Sequence, residues 1–123
     1  MKHWITLSAA VLVMFVFQQV AQAHAFLDHA EPRVGSTVSD SPTEVKIWFT
    51  EEVEPAFSVI QVKDDKGSEV DSSDTHVDPS NQKLLIVSVP KLSPGKYSVT
   101  WKVVASDTHH TQGTFSFTVA GKP

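Results

Sequence analysis

The sequence contains no cysteine, which excludes disulfide bonds, a lipid anchor attached through cysteine and any metal site built on thiolates. Its two methionines, Met1 and Met14, both lie near the N-terminus, so the rest of the chain offers no sulfur ligand. Basic residues are also few: 10 stand against 14 acidic ones, a formal net charge of −4. Nucleic-acid-binding domains normally present a basic surface, so we expect no nucleic-acid partner. A metal site in this chain would consist of nitrogen and oxygen donors.

Only one long hydrophobic run is present, and it lies at the N-terminus. A short basic segment precedes the apolar stretch Ile5 to Phe17, and Ala21-Gln22-Ala23 has the small-residue pattern of a cleavage site. The run is short for a membrane span, although an uncleaved anchor is the alternative. We predict a secretory signal peptide over residues 1–23 and one domain over residues 24–123. A domain of about 100 residues is large enough for a single core.

The remainder of the chain shows no sustained helical period, which favours an all-β domain. Leu84 to Val87 is continuously apolar, so we predict a strand that is covered on both faces. Trp48, Trp101 and the phenylalanines are predicted to be core aromatics. Other strands alternate apolar and polar residues, and their apolar positions are Val45, Ile47, Phe49, Tyr97, Val99, Val103, Phe115, Phe117 and Val119. About seven short strands in this length predict an immunoglobulin-like Greek-key sandwich or barrel.

The segment Glu69 to Gln82 is polar and acidic, and its Asp74, His76 and Asp78 could indicate a metal site. The turn residues Pro79 to Asn81 favour a flexible acidic loop instead, because nothing in the pattern fixes these donors relative to one another. His29 and His110 are likewise interpreted as solvated groups or as neighbours of a site.

Asp107 and His109 lie two residues apart where a predicted strand ends. In extended backbone, residues i and i+2 share a face, so a carboxylate oxygen and an imidazole nitrogen would converge. The alternative is that Asp107 caps a turn and that His109 is a solvated loop histidine. Two donors alone do not decide between these interpretations.

A further donor set would come from His24, because cleavage after Ala23 makes it the N-terminal residue. Its free α-amine and its ring nitrogen can chelate one metal ion, and the amine loses its proton more easily than a lysine does. The alternative is that His24 follows the cleavage site by chance. Together with Asp107 and His109 it would supply an amine, two imidazoles and a carboxylate. This set suits tetragonal Cu(II), and zinc would also accept it.

Several motifs give the chain a clear resemblance to the CopC family of periplasmic copper-binding proteins. They are His24-Ala-Phe-Leu, Glu31-Pro32, Trp48-Phe49-Thr50-Glu51, Leu92-Ser-Pro-Gly-Lys-Tyr97 and Trp101-Lys-Val-Val-Ala-Ser-Asp107-Thr-His109. The resemblance covers essentially all of residues 24–123. It implies that His24, Asp107 and His109 bind Cu(II), one ion per chain, with Glu51 as a neighbouring group or an occasional ligand.

The same resemblance implies a soluble periplasmic carrier or buffer of copper, and not an enzyme. It would serve copper resistance or homeostasis, and a CopD-like membrane copper transporter could receive its copper. We expect a monomer. Some members of the family bind Cu(I) in a methionine-rich loop, and the absence of methionine after Met14 resembles the branch with the Cu(II) site alone.

Two other functions are compatible with the sequence. An N-terminal histidine with a second histidine also forms the histidine brace of copper monooxygenases that cleave polysaccharides. Asp107 could fill the coordination position that such an enzyme keeps open, and about 100 residues leave little surface for a polymer. The other alternative is a β-sandwich module for adhesion or assembly, in which the donors have no metal role.

Overall fold

The computed structural model describes residues 25–121, so the predicted signal peptide over residues 1–23 and the predicted ligand His24 lie outside the described residues. Eight strands make up the fold: β1 (Leu27–Glu31), β2 (Thr37–Val38), β3 (Glu44–Phe49), β4 (Val59–Lys63), β5 (His76–Asp78), β6 (Asn81–Ser88), β7 (Gly95–Val104) and β8 (His110–Val119). A 3-10 turn, Pro55–Phe57, precedes β4. None of the helical segments within residues 25–121 has the length and apolar character needed to cross a membrane.

The strands form two four-stranded sheets, in the orders β1-β3-β6-β5 and β2-β8-β7-β4. All neighbours are antiparallel except β2 and β8, which pair in parallel. The predicted all-β sandwich is therefore confirmed. The described residues contain eight strands instead of about seven, and the strands that the pattern did not indicate are the two-residue β2 and, within the acidic segment, β5.

The core follows the predicted alternation. Ile47 and Phe49 of one sheet are buried, as are Trp101 and Phe117 of the other, and they belong to a single apolar cluster. Phe26 and Phe57 were expected in the core but are exposed. Trp48 was also expected in this core, and that expectation is wrong. Because it stands between Ile47 and Phe49, its side chain takes the outer face of β3 and is only partly buried.

Leu84 to Val87 in the middle of β6 are all buried, which confirms the prediction of a strand covered on both faces. On the outer face Leu84 pairs with Trp48 of β3. The large Trp48 side chain therefore shields an apolar position outside the core, although it does not lie within the core itself.

Residues 69–75, which we call the acidic strap, run along the outer edge of β4. The Val62 N–H donates to Asp71 Oδ2 (2.8 Å), and the Ile60 N–H donates to Thr75 Oγ1 (3.2 Å). The carbonyl of Val62 accepts the N–H of Val70 at 2.8 Å. Side chains of the strap thus bind the backbone groups of β4 that β7 leaves open.

The strap also reaches the other sheet, where Asp74 Oδ1 accepts the Ser88 N–H at 2.8 Å. Hydrogen bonding from Ser88 holds the pKa of the Asp74 carboxyl below its usual value. The expectation of a flexible acidic loop is therefore wrong for this part of the chain. Its acidic side chains accept backbone hydrogen bonds, which is why so polar a segment is ordered.

Gly113 lies opposite Trp101 in the β7–β8 pair, and the indole occupies the space that a side chain would need. A Cβ added at Gly113 would lie 2.5 Å from Trp101 Cζ2 and 2.8 Å from Cε2. The indole is buried and packs edge-on against Phe49, with ring centroids 5.1 Å apart, so it has little room to move.

We therefore expect Gly113→Ala to lower the free energy of unfolding by about 1–3 kcal/mol through overpacking. Urea unfolding followed by tryptophan fluorescence measures this change. Gly121→Ala is the matched control, because a Cβ there would meet only Pro94 Cβ at an ordinary 3.8 Å. It should change stability by less than about 0.5 kcal/mol. Equal stability of the two variants would show that the Trp101 side chain can move to accommodate the added Cβ.

Candidate metal centre

Three segments that are distant in sequence meet at one end of the sandwich. They are Ala25–Phe26 before β1, residues 50–54 after β3, and residues 105–109 between β7 and β8. Val53 pairs with Ala105 in an isolated bridge, and the Ser106 N–H donates to the Glu52 carbonyl at 3.2 Å. The loop that carries Asp107 and His109 is thereby fixed against the segment that carries Glu51.

The loop itself is a tight turn. The Ala105 N–H donates to the His109 carbonyl (2.9 Å), and the Thr108 N–H donates to the Ala105 carbonyl (2.8 Å). Thr108 has a φ of 73°, an uncommon left-handed conformation for a β-branched residue. Asp107 Oδ1 accepts the His109 N–H at 3.2 Å, which is the pattern of an Asx turn.

The side chains of Asp107 and His109 do converge: the His109 Nδ1–H donates to Asp107 Oδ2 at 3.0 Å. The convergence comes from the turn and not from the strand alternation that we expected. Asp107 caps the turn and also holds the imidazole, so the two interpretations of the sequence are compatible. A carboxylate has several lone-pair positions and an imidazole has two nitrogens, so both residue types can bind a metal while they contact each other.

Both side chains are accessible from solvent. Their exposed fractions are 38% for Asp107 and 46% for His109. An ion could therefore enter and leave this end of the sandwich without rearrangement of the core. Within residues 25–121, however, no three His, Asp or Glu side chains lie close enough together to hold a metal ion.

The described chain begins beside this loop. Ala25 is fully buried, and its carbonyl accepts a hydrogen bond from Thr111 Oγ1 at 2.6 Å. Thr111 is two residues from His109. The backbone of Ala25 is therefore held at the same end of the sandwich as the Asp107–His109 pair.

Glu51 and Asp107 line one shallow depression of about 280 Å³. Glu52 and Lys83 line it as well, so carboxylates outnumber basic groups there. A negative surface raises the local concentration of cations. Because Glu51 and Asp107 line the same depression, Glu51 lies close to the candidate site.

Of the other described histidines, His110 directly follows the loop, whereas His29 and His76 lie elsewhere. His29 stacks on Trp48 with ring centroids 4.3 Å apart, and its Nδ1–H donates to Asp28 at 2.8 Å. His76 donates from Nδ1 to the Asp74 carbonyl at 2.8 Å, and His110 begins β8. The printed contacts of His29 and His76 are thus made with residues outside the 105–109 loop.

Two threonines at this end of the fold were not predicted: Thr50 binds the backbone of Phe26, and Thr111 binds that of Ala25. Threonine is common in strands, so the residue type carries no specific signal. The only available hint was position, because Thr50 precedes Glu51 and Thr111 follows the Asp107–His109 loop.

Residues 27–120 match the family model described as the CopC domain. The chain is 33% identical over 122 residues to copper resistance protein C of Xanthomonas campestris pv. juglandis, covering 91% of this chain and 95% of that protein. It is 29% identical over 119 residues to the copper transport protein CutJ of Bacillus subtilis, covering 96% of this chain but 21% of that protein. The crystal structure of CopC from Methylosinus trichosporium OB3b superposes with a TM-score of 0.75 at 35% identity, covering 79% of this chain and 94% of that one.

Proposed function

Because the chain belongs to the CopC family, we propose that it is a periplasmic copper carrier that binds one Cu(II) ion through His24, Asp107 and His109. The division into a signal peptide over residues 1–23 and a copper-binding domain over residues 24–123 is part of this proposal, because the α-amine of His24 becomes a ligand only after cleavage. Glu51 acts as a neighbouring carboxylate. We propose that the mature protein is a monomer.

The observation that carries the proposal is the position of Ala25. Its carbonyl is bound by Thr111, two residues from His109, and His109 in turn contacts Asp107. Consecutive Cα atoms in a polypeptide are only about 3.8 Å apart, so the position of Ala25 limits how far from this loop a ligand joined to it could lie. This supports a site that combines the N-terminal residue with the Asp107–His109 pair.

The choice of Cu(II) is supported by the chemistry of the donors. Nitrogen and carboxylate oxygen suit tetragonal Cu(II), which binds such sites more tightly than the other divalent ions of the first transition row. Asp107 adds one negative charge to a depression that already contains more carboxylates than basic groups. No sulfur ligand for Cu(I) is present after Met14.

A carrier must release its cargo, and the exposure of Asp107 and His109 supports exchange with another protein. The recipient that we propose is a CopD-like membrane copper transporter. The match of nearly the whole chain to about a fifth of the copper transport protein CutJ supports a transporter as recipient, because a segment similar to this chain then occurs within a copper transport protein. The cell would use the carrier in copper resistance or homeostasis.

Titration of the processed chain, beginning at His24, should show one equivalent of tightly bound Cu(II) with a tetragonal electron paramagnetic resonance spectrum. Zn(II) should bind more weakly, following the general order of these ions. Ascorbate together with a Cu(I) chelator should then remove the copper, because hard donors favour the divalent ion. The absence of Cu(II) binding by the processed chain would refute the proposed function.

Retention of Cu(I) against the chelator would instead reveal a soft site, with His29, His76 or His110 as candidates. The copper-loaded protein should also cleave no polysaccharide, with ascorbate and peroxide, beyond what free copper achieves. Turnover of a polysaccharide would favour the histidine-brace enzyme over the carrier. Free Cu(II) at the same concentration is the control for both measurements.

A further inference from the structure

The N-terminal segment Ala25–Phe26 is held by side-chain hydroxyls as well as by strand pairing. Thr111 Oγ1 donates to the Ala25 carbonyl at 2.6 Å, a short and therefore well-formed contact. Thr111 is partly buried and Ala25 is fully buried, so water competes little for this bond. A buried carbonyl that lost its partner would be costly.

A second threonine binds the next residue from the opposite side. The Phe26 N–H donates to Thr50 Oγ1 at 3.0 Å, and the Thr50 N–H donates to the Phe26 carbonyl at 2.8 Å. This reciprocal pair fixes both backbone groups of Phe26. Thr50 is also the residue before Glu51, so the contact ties the segment to the depression described above.

The two threonines come from different sheets. Thr50 follows β3 and Thr111 lies in β8, so three hydrogen bonds hold Ala25–Phe26 across both layers of the sandwich. Ordering the backbone of one residue costs roughly 1–2 kcal/mol of conformational entropy. Contacts that order the residues next to His24 in the apo protein remove part of that cost from metal binding.

We propose that Thr111 and Thr50 are positioning residues of the metal centre, which hold the start of the mature chain beside Asp107 and His109. Neither hydroxyl binds the ion. They act through the backbone of Ala25 and Phe26, and this inference rests on the proposed function. Metal affinity would then depend on two side chains that no donor set would include.

The direct test is Thr111→Val, which keeps the shape of the side chain and removes the hydroxyl. The processed variant should bind Cu(II) about tenfold more weakly, the lower end of the effect of groups that orient metal ligands. Thr111→Ser keeps the hydroxyl and should restore most of the affinity. Thr114→Val, on the exposed face of the same strand, is the matched control and should bind as the unchanged protein does.

Thr50→Val tests the second contact independently, in case Thr111→Val also weakens the fold. This variant should accelerate hydrogen exchange at the Phe26 amide, weaken Cu(II) binding and alter the electron paramagnetic resonance spectrum. The urea midpoint of the apo variant shows whether the fold persists. Unchanged Cu(II) affinity in folded Thr111→Val and Thr50→Val would overturn the positioning role. Failure of the unchanged processed chain to bind Cu(II) would instead refute the proposed function.

Discussion

Asp107→Ala and His109→Ala should each lower the affinity of the processed chain for Cu(II) by at least about 100-fold. Groups that only orient metal ligands are worth about 10- to 100-fold, so the loss of a ligand should reach or exceed the top of that range. His109→Ala removes an imidazole donor. Asp107→Ala removes the proposed carboxylate ligand, which also accepts the Nδ1–H of His109. Competition with a Cu(II) chelator of known affinity measures the change.

The apo domain should remain folded in both variants, because the two side chains lie in an exposed turn. His109→Ala should change the free energy of unfolding by less than about 0.5 kcal/mol. Asp107→Ala should cost about 0.5–1.5 kcal/mol, since the turn loses the hydrogen bond from the His109 N–H. His76→Ala serves as the control and should leave copper affinity unchanged. Collapse of the apo fold, or unaltered affinity, would contradict the assignment of Asp107 and His109.

Adding one methionine before His24 should weaken Cu(II) binding at least tenfold, or by more than about 1.4 kcal/mol. The extra residue converts the free α-amine into an amide, which removes one arm of the predicted chelate and leaves the His24 ring unchanged. The urea midpoint of the apo protein should not move. Isothermal titration of the two proteins under identical conditions gives the comparison.

Chemical acetylation of the N-terminus tests the loss of the free amine without adding a residue, because His24 remains the first residue. The acetylated protein should bind as weakly as the extended one. The affinity of the unmodified protein should also rise with pH through about 7.7 to 8.0, where an α-amine loses its proton, and acetylation should abolish that rise. A methionine added after Pro123 is the control. Equal affinity of extended and processed chains would exclude the amine as a ligand.

The sandwich and most of its core could be predicted from the sequence because strand alternation has a fixed period of two. Val45, Ile47 and Phe49 are buried as that period requires, and so are Phe115 and Phe117. Trp48 was misassigned because aromatic residue type was given more weight than position. The alternation itself places it on the outer face.

The Asp107–His109 pair was predicted correctly in its convergence but for a different physical reason. Thr108 adopts a positive φ, which a β-branched residue rarely does. The residue types in this segment therefore do not predict the turn. The contact between Thr111 and Ala25 spans 86 positions in the chain. It depends on how β8 and the segment before β1 meet in the fold, and a local residue pattern does not predict such a long-range contact.

The acidic strap has a consequence for contacts between molecules. An edge strand with open amide and carbonyl groups can template a strand from another molecule, which is a route to aggregation. On β4 the outward N–H groups of Ile60 and Val62 are already bound by Thr75 and Asp71. A neighbouring molecule could add a strand there only after the strap had detached. The strap therefore protects this edge against cross-β aggregation even when the protein is concentrated.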